Sequence, residues 1–209
     1  MGDGKLKFKL IKKKGFDRFV YDPLNPVPTA GGGMSHMLPA LAGIKDQREI
    51  ETRQDVLVYR TDPLKEGMEI VGAVFVKLYI SSDSVDTDFT AKLVEIRKDG
   101  YIRIIEDGIA KTRFRSGFTK MEKIIPGKVY ELKLKIGTTA IWIPKGNQIG
   151  LEISSSSFPK YPRNPNTGVT ELKAEKFQKA TQTVYFSKQY PSCLVLPVLY
   201  FPDTKKQSR

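Results

Sequence analysis

Tyr130, Leu132, Leu134 and Ile136 alternate strictly with Glu131, Lys133 and Lys135, and this period of two constrains the chain more than any other feature. Side chains two apart share a face only on a strand, so the segment predicts a strand with one dry face and one wet one. A helix would scatter the same residues around its circumference. The pattern recurs from residue 70 to 80, with Val74, Val76, Leu78 and Ile80 on one face and Phe75, Lys77 and Tyr79 on the other. Shorter apolar segments at 56–59, 89–96, 101–105, 109–114, 140–143, 183–186 and 194–199 complete a series of strands. Lys98-Asp99-Gly100 and Glu106-Asp107-Gly108 read as hairpin turns, glycine supplying the positive φ. Pro144-Lys145-Gly146-Asn147 turns the chain into a strand whose Ile149, Leu151 and Ile153 face the core while Gly150, Glu152 and Ser154 face away. Only residues 171–179 suggest a short helix. The expected fold is all-β, a two-sheet jelly-roll β-sandwich with long loops, because the strands are too unequal for an up-and-down barrel.

The 209 residues suffice for one large domain, expected at 19–202, between a basic lead-in at 1–18 and a basic tail at 203–209. The net charge of +12 raises nucleic acid as a partner, but its distribution opposes that reading. The first 20 residues carry +5, Lys205, Lys206 and Arg209 add three, and only +4 remains for everything else. Basic ends of this kind are solvated tails, so no nucleic acid partner is expected. No apolar run reaches the length of a membrane span and Met1-Gly2-Asp3-Gly4-Lys5 has no apolar signal core, so no membrane association is expected. The lone Cys193 can form no internal disulfide and reads as a small core residue, which fits a cytoplasmic location. Residues 5–14 read as an edge strand or a ragged end, and 22–33, rich in proline and glycine, as an extended lead-in.

Beyond the strand at Ile149, the polar run Ser154 to Ser157 leads into a loop stiffened by Pro159, Pro162 and Pro165. Each proline fixes its own φ and drives the preceding residue away from helix, so the loop is extended and preset. Phe158, Tyr161 and Arg163 stand between the prolines, the residue types that anchor contacts between surfaces. A second loop carries Asp83, Asp86 and Asp88, three hard oxygen ligands in the manner of a calcium loop, yet without the glycine turn or the bidentate glutamate. No metal or other cofactor is expected. Gly33-Met34-Ser35-His36-Met37 imitates a nucleophile elbow, but Met37 replaces the second small residue and no buried strand precedes it. Ser35 and His36, the sole histidine, are chain neighbours whose side chains diverge, so no catalytic residues are assigned.

Three stretches stand out together: Ser81-Ser82-Asp83-Ser84-Val85-Asp86-Thr87-Asp88-Phe89-Thr90-Ala91-Lys92-Leu93, Ile153 to Pro159, and Arg163-Asn164-Pro165-Asn166-Thr167-Gly168. As a set they resemble the C-terminal β-sandwich domain of the X-prolyl dipeptidyl aminopeptidase and cocaine esterase family of serine hydrolases. Tyr21-Asp22-Pro23, Asp55 to Tyr59, Pro126-Gly127, Thr183-Val184-Tyr185 and Leu196-Pro197-Val198 support it in the same order, over residues 19–202. Phe186 and Asn147 depart from the histidines frequent in that family at these places.

The resemblance implies a non-catalytic domain whose serine, aspartate and histidine lie in an α/β-hydrolase domain outside these residues. Such a domain would support or wall the catalytic domain that cleaves X-Pro peptides, amides or esters, and could also form a homo-oligomer. Asp83, Asp86, Asp88, Phe158, Tyr161, Arg163, Asn164 and Asn166 are the expected interface residues. An alternative of another class is a stand-alone carbohydrate-binding module, since galactose-binding jelly rolls are similar to this sandwich. Tyr161 would then serve as the sugar platform, because Trp142 sits in an apolar strand.

Overall fold

The computed structural model describes residues 4–9, 15–33 and 40–199. Ser35 and His36, the lysine run at 12–14 and the tail at 203–209 lie outside the described residues. Among the described residues nine strands form two antiparallel sheets: β1 (Gly15–Tyr21), β2 (Leu57–Arg60), β3 (Met68–Ser82), β4 (Asp88–Ile96), β5 (Ile102–Lys111), β6 (Tyr130–Ile143), β7 (Gln148–Ser154), β8 (Ala180–Phe186) and β9 (Cys193–Val195). One sheet runs β1-β8-β3-β6 with β9 also on β3, and the other runs β2-β7-β4-β5. Among the described residues there is no α-helix; the stretch 171–179 contributes only the 3-10 turn Glu171–Lys173.

The inner faces meet in one core of Phe19, Tyr21, Ile70, Val74, Val76, Leu78, Ile80, Leu132, Leu134 and Ile136 from the first sheet against Phe89, Leu93, Leu151 and Ile153 from the second. Phe19 and Phe89 meet edge to face, 6.3 Å between centroids. The alternations of β3 and β6 hold as the period predicts, with Glu131, Lys133 and Lys135 in solvent. β1 reaches back to Gly15, into the basic lead-in, and pairs along its whole length with β8. Lys5 bridges to Arg60, which adds a short edge beside β2.

Two expectations are corrected. Glu106-Asp107-Gly108 is not a hairpin turn: β5 runs straight through it, paired with β4 from Ile96↔Ile102 to Asp88↔Lys111. The register steps between Leu93 and Val94, where Ile105 is the extra residue of a bulge. Gly108 serves close approach, not a turn, because a Cβ there would stand 2.7 Å from the Cα of Ile136 and 2.8 Å from the carbonyl of Lys135. Nor is β7 wet on one face. Glu152 is 2% exposed, because the chain between β1 and β2 folds back over the outer face of the second sheet. Ile50 in that cover packs with Val27 and Val56 in a small separate core. Cys193 is half-buried on β9 and not in the main core.

Polar groups hold the cover down. Lys92 Nζ donates to Gln47 Oε1 at 2.8 Å and lies 3.5 Å from Glu152, and Gln47 Nε2 donates to the Ala30 carbonyl at 2.7 Å. Glu51 pairs with Arg60, while neither oxygen of Glu152 accepts a hydrogen bond among the described residues. Burial pushes the Glu152 carboxyl up to about 7; Lys92 opposes the shift and the neighbouring Glu51 adds to it. A carboxyl with a higher pKa folded than unfolded contributes stability that is fully present below about pH 4.5 and is lost as pH rises through about 7. Urea denaturation across pH should therefore show Glu152→Gln gaining on the native chain by about 2–3 kcal/mol between pH 4.5 and 8. Parallel pH profiles for the two proteins would contradict this.

Candidate functional site

β7 ends in Ser154 and runs on into the proline loop, but the serines do not mark a passage to solvent. Ser154, Ser155, Ser156 and Ser157 are all buried. Ser154 Oγ donates to the Asp55 carbonyl at 2.7 Å, and Ser156 Oγ accepts from the Val27 amide at 2.9 Å. The lead-in then runs alongside the loop: the Phe158 amide donates to the Val27 carbonyl at 2.9 Å and the Thr29 amide to the Phe158 carbonyl at 2.7 Å. The prolines keep the next residues extended, and the peptide bond between Phe158 and Pro159 is cis.

The carboxylate loop between β3 and β4 reaches this proline loop and fuses with it. Asn164, fully buried, donates through Nδ2 to Asp88 Oδ1 at 2.7 Å and to Asp86 Oδ2 at 3.2 Å. Ser84 Oγ lies 2.7 Å from the Asp86 carbonyl and 2.5 Å from that of Asn166. Asn164 Oδ1 accepts from the amide of Asn166, which takes the left-handed conformation at φ 63°. Asn166 Nδ2 in turn donates to the Gln178 carbonyl at 2.6 Å. From the first sheet, the hydroxyl of fully buried Tyr21 donates to the Asn164 carbonyl at 3.2 Å.

Cations close the network from the end of β5. Arg113 meets Asp86 Oδ2 at 2.5 Å, both side chains buried, and Thr112 Oγ1 lies 3.1 Å from Asp86 Oδ1. Lys111 lies 3.0 Å from Asp88 Oδ2 and also pairs with Glu171. Burial pushes the Asp88 carboxyl up to about 6, while Lys111 and Asn164 pull it back. All four carboxylate oxygens of Asp86 and Asp88 are thus engaged by groups of this chain. Asp83 stands apart: it is exposed, and its carboxylate accepts from the Thr181 amide at 2.8 Å beside β8. Among the described residues no group of three or more His, Cys, Asp or Glu side chains gathers.

The eight residues singled out from the sequence divide accordingly. Asp86, Asp88, Asn164 and Asn166 lie inside the protein and bind the two loops to each other. Phe158 (41% exposed), Tyr161, Arg163 and Asp83 reach the surface. The Tyr161 hydroxyl faces the Asp107 carbonyl at 3.4 Å and Lys160 meets Asp107 at 2.5 Å, so the ring is half covered. Arg163 lies over the rings of Phe158 and Phe177, 5.3 and 4.9 Å from their centres, and donates to the Pro23 carbonyl at 3.2 Å. Trp142 is 58% exposed on the outer face of β6, not buried as its apolar strand suggests. Sequence reasoning missed Lys111, Thr112, Arg113, Ser84 and Phe177. Counting from the hairpin at Gly100 alone would bring Ala110 opposite Asp88; the bulge at Ile105 shifts the register by one and puts Lys111 there instead, so no local signal marked it.

With this geometry in view, comparison with known proteins is decisive. Residues 3–195 match the X-Pro dipeptidyl-peptidase C-terminal non-catalytic domain. The chain belongs to that family. It is 37% identical over 201 residues to the cocaine esterase of Rhodococcus sp. (strain MB1 Bresler), covering 95% of this chain and 35% of that protein. Among solved structures, an aminopeptidase from a marine sediment archaeon, Thaumarchaeota archaeon, superposes with a TM-score of 0.85 at 30% identity, over 96% of this chain and 36% of its own. An α-amino acid ester hydrolase superposes with a TM-score of 0.83, also at 30% identity, over 94% of this chain and 35% of its own. The chain therefore spans about a third of the length of these relatives and corresponds to their non-catalytic domain.

Removing Asp86 would leave Arg113 buried without its counter-ion and take an acceptor from Asn164 and Thr112. Urea denaturation should show Asp86→Ala costing about 3–5 kcal/mol, and Asp83→Ala, at an exposed amide contact, less than about 1 kcal/mol. Equal losses would show that the buried network does not hold the loops.

Proposed function

We propose that this chain acts as the supporting part of a serine hydrolase of the dipeptidyl-peptidase and esterase type. It packs beside an α/β-hydrolase domain, in the same polypeptide or a separate one, and walls part of the cleft where that domain cleaves a peptide, amide or ester. The observation that carries this reading is the fused pair of loops: a buried ionic network holds a stiff, aromatic and basic surface at one end of the sandwich, in a chain that matches the non-catalytic third of its relatives. Rigid display of Phe158, Tyr161 and Arg163, with Asp83 nearby in sequence to the network, is what a permanent contact surface requires. Asp86, Asp88, Asn164 and Asn166 serve that surface from beneath. The proposed unit is a single jelly roll of galactose-binding-like connectivity, cytoplasmic in location, and it carries no triad of its own.

The test is calorimetric and kinetic. The hydrolase portion of the same system, produced as its own polypeptide, should melt at a higher temperature when this chain is added, because a ligand of the folded state stabilises it by mass action. It should also turn over X-Pro and simple ester reporters faster in the mixture, while this chain alone gives only the blank rate. Unchanged melting and unchanged turnover at a hundred-micromolar excess would refute the proposal.

A further inference from the structure

Among the described residues, seven of the nine arginines are paired with a carboxylate: Arg48, Arg53, Arg60, Arg97, Arg103, Arg113 and Arg115. Among the described residues Arg18 and Arg163 form no ion pair, and they differ in setting. Arg18 is exposed on the outer face of β1, where it lies over Phe16 and donates to Thr183. Arg163 is half-buried, with its guanidinium in contact with the rings of both Phe158 and Phe177. Of its five N–H donors, the structure gives a partner to one, the contact from Nη1 to the Pro23 carbonyl.

A guanidinium fixed in this way has lost much of its rotational freedom and part of its hydration before anything binds. Two aromatic ring centres lie within 5.3 Å of the guanidinium carbon and only Nη1 has an acceptor among the described residues, so other N–H groups remain for a carboxylate, which a guanidinium holds by two parallel N–H···O bonds. The loop beneath cannot retreat. Pro162 and Pro165 bracket Arg163, and Asn164, the next residue, is tied to Asp86 and Asp88. The nearby Lys160 and Lys179 are already paired with Asp107 and Asp22, so neither competes for an incoming anion.

We infer that Phe158, Arg163 and Phe177 form the anchor by which this chain takes an Asp or Glu side chain on the surface of the hydrolase portion. The inference rests on the functional reading above and adds to it the position and the chemistry of the contact. Arg163 supplies the charge, the two rings exclude water around it, and the half-exposed ring of Phe158 meets apolar surface beside the carboxylate. Charge complementarity selects the occupant, because this face of the loop offers a cation that forms no ion pair among the described residues.

The hydrolase portion is titrated calorimetrically into this chain and into Arg163→Gln, Arg163→Lys and Phe177→Leu, at low and at moderate salt. The melting temperature of each variant alone is recorded to show that it folds. The anchor predicts native-like melting, binding weakened roughly thirtyfold or more by Arg163→Gln, and smaller losses for Arg163→Lys, which keeps the charge but not the fork, and for Phe177→Leu. It also predicts a salt dependence of binding that Arg163→Gln largely removes. If the native chain binds and Arg163→Gln binds equally well, the anchor is wrong while the supporting role stands. If the native chain does not bind at all, both fall. If instead Arg163→Gln alters only the self-association of this chain, the occupant is a second copy, and the inference is likewise overturned.

Discussion

A carboxylate enclosed by protein must be met by donors or it drives the fold apart, and two adjacent carboxylates at the end of this sandwich meet that condition together. Asp86 and Asp88 are almost wholly removed from water, and each oxygen is engaged by Arg113, Thr112, Lys111 or Asn164. These partners come from the end of β5 and from the proline loop, so the ionic requirement of one loop determines where the others lie. An ion pair of this kind contributes little net stability compared with apolar packing, but losing one member is expensive. Its product is a single geometry. The apolar core between the sheets holds the strands, and this polar cluster holds the loops on top of them.

Legibility followed burial. The strands with one wet face, β3 and β6, stand in the sequence as clean alternation, because solvent on one side forces polar residues into every second place. β4 and β7 are dry on both faces, and there the pattern misled: Glu152 reads as an outward residue, yet it lies beneath a cover that has no periodicity of its own. Gly108 misled for a different reason. Glycine serves turns and close approach alike, and only the position of β6 against β5 distinguishes the two uses. The serine run at 154–157 reads as the end of a buried element, whereas all four side chains stay inside, Ser154 and Ser156 bonded to the backbone of Asp55 and Val27 and Ser157 to the Thr29 hydroxyl.

At the candidate site, the residues were legible and their division of labour was not. Asp86, Asp88, Asn164 and Asn166 stand out with Phe158, Tyr161 and Arg163 in the same two stretches, but nothing local says which point inward. Asp83 and Asp86 are three residues apart, and one contacts an exposed strand amide while the other is sealed against Arg113. That difference is tertiary in origin. The chain belongs to a non-catalytic hydrolase domain family, and under the proposed function the buried charge is retained because the loop presents one fixed surface.

The central claim is that the two loops form one rigid body with the sandwich, and backbone hydrogen exchange on this chain reads it most directly. The Thr87 amide donates to Thr112 Oγ1 at 3.0 Å and the Asn166 amide to Asn164 Oδ1 at 2.9 Å, both inside the network. The account predicts that these two loop amides exchange only with global unfolding, as slowly as that of Leu93 in the middle of β4. Exchange at the rate of an open loop, while Leu93 remains protected, would contradict it.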